Sequence, residues 1–242
     1  LTKPLDFWKI LVFYNPTSVM SMGVLILMLY QVFMYAWIVI TFRKIIDDFC
    51  EQRFPIVCKL TRIIAHYEAG ITGLLVIFCV SLGAYTGFLL SAQPHFPMWN
   101  TGVLPLLFLV SGLSSGAAAT LLGGVLLKGN PNGAEVRFIH KIEIPLILGE
   151  ILLMFTFFLG LVFSGGQSKV AAFNAVGVGF WGFIFWFGIM GLGLSAPLAM
   201  NLFMTATSKR KFAYVAGTAC LSLLGIILLR NFILYTGQMV VN

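Results

Sequence analysis

Three observations predict that this sequence forms an all-α integral membrane protein with six transmembrane helices. Hydrophobic residues make up 60% of the 242 and charged residues only 10%, whereas a soluble domain carries about 25% charged residues. The apolar residues collect in long runs, each sufficient to cross a roughly 30 Å hydrocarbon core at about 1.5 Å per residue. Eleven of the fifteen Lys and Arg fall in alternate loops, the asymmetry that orients a multi-pass protein in its bilayer. The net charge of +7 is therefore an orientation signal. It forms no basic stripe with interleaved aromatics, so no nucleic-acid partner is expected.

Residues 1–15 mix Lys3, Asp6 and Lys9 with Phe7, Trp8, Phe13 and Tyr14, which reads as an interfacial lead-in ahead of Pro16. The spans are expected at residues 18–42, 68–92, 102–127, 142–164, 180–203 and 214–235. Each must be helical, because lipid leaves a backbone amide no partner outside its own segment. The loop at residues 43–67 has room for a short amphipathic helix and carries Arg43, Lys44, Arg53, Lys59 and Arg62. The loops after the third and fifth spans add Lys128, Arg137 and Lys141, then Lys209, Arg210 and Lys211; the opposite side has only Lys3, Lys9 and Lys169. By the positive-inside rule the richer side is cytoplasmic and both termini of this chain lie outside. No linker or soluble domain interrupts the spans, so residues 1–242 are expected to form a single membrane domain. No internal repeat is visible, which counts against a transporter built from two inverted halves.

The residues offer little for a resident metal. Cys50, Cys58, Cys79 and Cys220 include no C-x-x-C pair, so neither an iron–sulfur cluster nor a zinc or redox pair is expected. His66, His95 and His140 sit at or near the ends of apolar runs, unlike the two facing histidines of a b-type haem.

Charged groups inside a span are costly and mark candidate sites. Glu150 lies near the bilayer midplane, where it is either a protonated side chain bonded to a neighbouring helix or a proton-relay carboxyl. His140, Glu143 and Glu150 share about 80° of one helical face, beside Pro145 and Gly149. His140 and Glu143 are read as solvated interfacial residues at the head of the helix or as proton-entry groups. Glu68 opens the second span with the same two readings. Arg230, in the outer third of the sixth span, needs a structural partner or stands near a ligand. Tyr85 stands at similar depth among Gly83 and Gly87, which leave room for a neighbouring helix or a flat ring; alone it also fits an aromatic belt. Gly112 and Gly116 form a small-x-x-x-small pair suited to helix packing, with Ser111, Ser114 and Ser115 beside them. The outer loop with His95, Trp99 and Asn100 reads as a docking surface or a lid.

Four segments in order resemble the NrfD and polysulfide-reductase membrane-subunit (PsrC) family. They are Gly83-Ala84-Tyr85-Thr86-Gly87-Phe88-Leu89-Leu90-Ser91; Leu104-Pro105 leading to Ser111-Gly112-Leu113-Ser114-Ser115-Gly116-Ala117; His140-Lys141-Ile142-Glu143-Ile144-Pro145 with Gly149-Glu150; and Leu229-Arg230-Asn231-Phe232-Ile233-Leu234-Tyr235-Thr236-Gly237-Gln238. Phe7-Trp8-Lys9 and Thr17-Ser18-Val19-Met20-Ser21-Met22-Gly23-Val24 look closest to the nitrite-reductase branch. The resemblance implies an eight-helix bundle of which this sequence carries the last six. It also implies a quinol-interacting anchor in the bacterial cytoplasmic membrane, serving anaerobic respiration. Electrons from menaquinol or ubiquinol would pass to a four-cluster ferredoxin-like iron–sulfur subunit and then to a reductase subunit, with no haem or cluster in this chain. The expected quinol site comprises Tyr85, Arg230, Trp99 and Asn100, and the expected proton pathway His140, Glu143, Glu150 and Glu68. Polysulfide, thiosulfate or sulfite reduction is the alternative within the family. A small proton-coupled transporter and a passive anchor are the alternatives of another class.

Overall fold

The computed structural model describes residues 8–50, 55–127, 133–203 and 212–240, and every regular element among them is helical. Among the described residues six helices are long and apolar enough to cross a membrane: Val19–Thr41, Glu68–Ser91, Leu104–Leu126, Val136–Ser164, Phe180–Phe203 and Phe212–Gly237. The lead-in contains one short helix, α1 (Lys9–Val12); Lys3, Asp6 and Phe7 lie outside the described residues. The protein divides into two compact units, Leu1–Leu89 and Leu90–Asn242.

The first unit holds α1, α2 (Val19–Thr41), α3 (Arg43–Cys50), α4 (Pro55–His66) and all but the end of α5 (Glu68–Ser91). The loop expected to carry one short helix carries two, α4 starting on Pro55, whose missing N–H costs nothing at a first helical position. The two spans meet through stacked Phe33 and Phe78, with ring centroids 5.5 Å apart, and through Tyr85 against Gly23.

The second unit is built from α6 (Leu104–Leu126), α7 (Ala134–Ser164), α8 (Gly166–Val176), α9 (Phe180–Phe183), a π-helix (Ile184–Ser195), α10 (Ala196–Phe203) and α11 (Phe212–Gly237). Helix α7 begins eight residues before the apolar run that predicts it. Val136, Ile139, His140 and Glu143 recur at i, i+3, i+4 and i+7, an inward face that a mean hydropathy reading dilutes with exposed Arg137, Phe138 and Lys141. Val136 and Ile139 pack against a buried cluster that includes Val125, Tyr214 and Val215. Gly165 and Gly166, at φ 70° and 52°, turn the backbone from α7 into α8 through angles open chiefly to glycine. Helix α8, which the apolar runs do not reveal, buries Ala171, Ala172 and Ala175.

Helix α11 is the central element, packing on α6, α8, α10 and the π-helix. Phe232, fully buried, has the rings of Phe185, Phe158 and Trp181 at 5.3, 6.4 and 6.5 Å. Helix α11 approaches the π-helix backbone to backbone at Gly193 and Gly225, where a Cβ on either residue would overlap the Cα of the other. A Cβ at Gly116 meets nothing within 4 Å among the described residues, and one at Gly112 meets only Arg230 Nη2 at 3.6 Å.

Candidate functional site

In the first unit, Tyr85 is seated on α2. Its ring occupies the place a side chain at residue 23 would take, and its hydroxyl donates to the Met20 carbonyl at 3.4 Å. On the facing helix it is Gly23 that makes room for the ring. A phenol that donates weakly to a carbonyl keeps its own lone pairs for an incoming donor. Glu68, at the first position of α5, is exposed, and His66 lies edge-on to Tyr67 at 5.3 Å.

In the second unit, a polar cluster joins α7, α10 and α11. Glu143 is only 2% exposed. Its Oε2 lies 3.1 Å from His140 Nδ1 and accepts from Asn201 Nδ2 at 2.9 Å, while its Oε1 accepts from Ser222 Oγ at 3.2 Å. The Tyr214 hydroxyl donates to Asn201 Oδ1 at 3.0 Å. Because α7 starts at Ala134, Glu143 is not at the head of its helix beside a favourable dipole; it is inside the bundle and held by three side chains. His140 shares this interior, its Nε2 buried without a hydrogen-bond partner.

Seven residues on, about 10 Å further along α7, Glu150 is 1% exposed. Ser114 of α6 lies beside its carboxyl, and Oε1 has no hydrogen-bond partner. Pro145 lies between the two carboxyls without breaking α7, although it withdraws the amide that the Lys141 carbonyl would otherwise bond.

Arg230 on α11 packs over Phe108 of α6, Cζ 5.4 Å from the ring centroid. It makes no ion pair among the described residues, and Nε is buried without a partner. Trp99 is buried, donating Nε1–H to the Ile233 carbonyl at 2.9 Å and packing against Phe96 and Gly237. Its loop is tied down again by Ser168, which donates to the Pro97 carbonyl at 3.4 Å. Asn100 and His95 stay exposed on that loop. Among the described residues no group of three His, Cys, Asp or Glu side chains could hold a metal ion.

The structure thus unites His140 with Glu143 in one cluster and sets Glu150 on the next stretch of the same helix face. Tyr85 belongs to one unit; Trp99, Asn100 and Arg230 belong to the other. Sequence reading missed Asn201, Tyr214, Ser222 and the particular role of Ser114. A signal existed: Tyr214, Thr218 and Ser222 recur every four residues along α11, a polar stripe inside an apolar span.

The whole sequence, residues 1–242, matches the family described as "Polysulphide reductase, NrfD". It is 43% identical over 246 residues to the protein NrfD homolog of Haemophilus influenzae and 41% identical over 245 residues to protein NrfD of Escherichia coli, covering all of this protein and 76% of each relative. It is 37% identical over 239 residues to the C subunit of the polysulfide reductase of Wolinella succinogenes, covering 98% of this protein and 75% of that subunit. With six membrane-length helices and this match from end to end, the protein belongs to the NrfD, polysulphide reductase, family of multi-pass membrane proteins.

Proposed function

We propose that this protein is the quinol-interacting membrane anchor subunit of a multisubunit respiratory oxidoreductase in a bacterial cytoplasmic membrane. Menaquinol or ubiquinol is its substrate, and the electrons go to an extracytoplasmic iron–sulfur partner and from there to a reductase subunit. The match to NrfD proteins and to a polysulfide reductase C subunit over the whole sequence is the observation that carries this reading. Higher identity to the NrfD proteins supports the branch expected to serve nitrite reduction. The eleven basic residues of alternate loops support a cytoplasmic position for those loops, with both termini outside.

Tyr85 is the residue proposed to meet the substrate. Held by Gly23 and directed by the Met20 carbonyl, its hydroxyl oxygen can accept the O–H of a quinol and orient the ring for loss of two electrons and two protons. Within the second unit, Arg230, Trp99 and Asn100 are the residues proposed for quinol, the guanidinium favouring an anionic oxygen.

The protons leave either directly at the outer face or along the stripe of Glu150, Glu143 and His140, with Glu68 as a further cytoplasmic group. The unpartnered oxygen of Glu150 and the unpartnered Nε2 of His140 support the stripe. Such groups, in apolar surroundings, can exchange a proton without first breaking a bond to a neighbour.

Replacing Tyr85 by Phe in the intact complex tests the reading. Quinol oxidation is expected to fall at least about a hundredfold, the scale on which one positioned proton-handling group acts, while the subunits still co-purify. Normal turnover with normal assembly removes Tyr85 from the site, and loss of assembly alone favours a passive anchor.

A further inference from the structure

An apolar groove between α7, α8 and the π-helix lies apart from every residue assigned above. Its volume is about 340 Å³, and its walls include Ile151, Phe158 and Val162 of α7, Phe173 of α8, and Trp186 and Met190 of the π-helix. No charged or hydroxyl-bearing side chain lines it. The indole N–H of Trp186 is already given to the Val176 carbonyl at 3.2 Å, so the groove has no polar side chain to offer a head group.

Its dimensions are those of a lipid tail. From Ile151 to Val162 the α7 wall rises about 16 Å, close to one leaflet of a hydrocarbon core roughly 30 Å thick. At the Val162 end, α7 stops at Ser164 and α8 begins at Gly166, so α8 lies at the level of the head groups. Lys169 stands three and four residues before Ala172 and Phe173, which both line the groove, and therefore on the same face of α8. It is exposed, and it is the only charged residue in the sequence between Glu150 and Lys209. A lone cation thus shares the α8 face that lines an uncharged slot one leaflet deep.

We propose that this groove is a structural-lipid site that takes one acyl tail of an anionic phospholipid, with the phosphate on Lys169. An apolar gap left without a filling tail forfeits dispersion contacts along its whole lining, here beside the π-helix that packs on α11. The site is independent of the quinol reading, since none of its residues belongs to that machinery.

Retained phospholipid, measured by class per mole of protein after the intact complex is washed in mild detergent, tests it. The unsubstituted complex is expected to keep about one anionic phospholipid for each copy of this subunit. Lys169→Gln is expected to lower the ratio of anionic to zwitterionic lipid about fivefold and leave quinol oxidation unchanged. Met190→Trp, which fills the groove, is expected to release the lipid whatever its head group. An unaltered lipid profile in Lys169→Gln, or no phospholipid retained by the unsubstituted complex, overturns the proposal. So does retention of an isoprenoid quinol that Met190→Trp releases. Loss of quinol oxidation in Tyr85→Phe with lipid retention intact bears on the quinol reading alone.

Discussion

At Glu143 a single carboxylate satisfies Asn201 and Ser222 and pairs with His140, all in an apolar bundle. Removing the acceptor takes a buried charged partner from His140, Asn201 and Ser222, and breaking such a buried pair costs about 3–5 kcal/mol, so Glu143→Ala is expected to destabilise by about that amount. Glu143→Gln keeps an acceptor oxygen and is expected to cost less than half as much. Thermal unfolding of the solubilised protein reads both, and an equal Tm for Ala and Gln would contradict the clamp. Glu150 is differently placed, with Ser114 on one side and nothing on Oε1. Glu150→Gln is expected to keep Tm within a few degrees of the parent while slowing proton uptake coupled to quinol oxidation; unchanged uptake and turnover would remove Glu150 from any relay. Both carboxyls are legible in the sequence as charges within or beside apolar runs. Their difference is not, because it depends on Asn201 and Ser222 arriving from other helices.

Among the elements, the π-helix and α11 are joined by the Gly193–Gly225 contact. Gly225→Leu drives a side chain into the Gly193 backbone, which cannot move aside as a side-chain tip can. Overpacking of this kind costs about 1–3 kcal/mol or more, and a corresponding fall in Tm is expected. Gly217→Leu on the same helix is the control, since a Cβ there meets nothing within 4 Å. A smaller loss at residue 225 than at residue 217 would show that the contact does not form. The six spans were readable because lipid demands about twenty apolar residues in succession. Helix α8 was not readable by that criterion: it crosses nothing and buries alanines, whose small side chains carry little hydropathic signal. The early start of α7 was hidden for a related reason, since an amphipathic turn averages to neutrality even when one face is fully buried.

For the molecule as a whole, the charge asymmetry predicts that alkaline phosphatase fused after Asn242 is active in intact cells, whereas a fusion at Gly129, in the loop after the third span, is inactive. The reverse pattern would invert the proposed orientation and move the proposed quinol site to the other leaflet. Composition, run length and Lys/Arg placement determined by themselves that this is a six-span helical membrane protein, because a hydrocarbon solvent admits almost no other fold for such a sequence. Motif order also made the family resemblance legible. Only the tertiary structure decided that Gly23 seats Tyr85, that Glu143 is clamped while Glu150 keeps an unpartnered oxygen, and that the tight glycine contact lies at Gly193 and Gly225. The physical reason is that helical periodicity specifies which residues share a face, whereas the identity of the helix that meets that face is set by packing between segments far apart in the sequence.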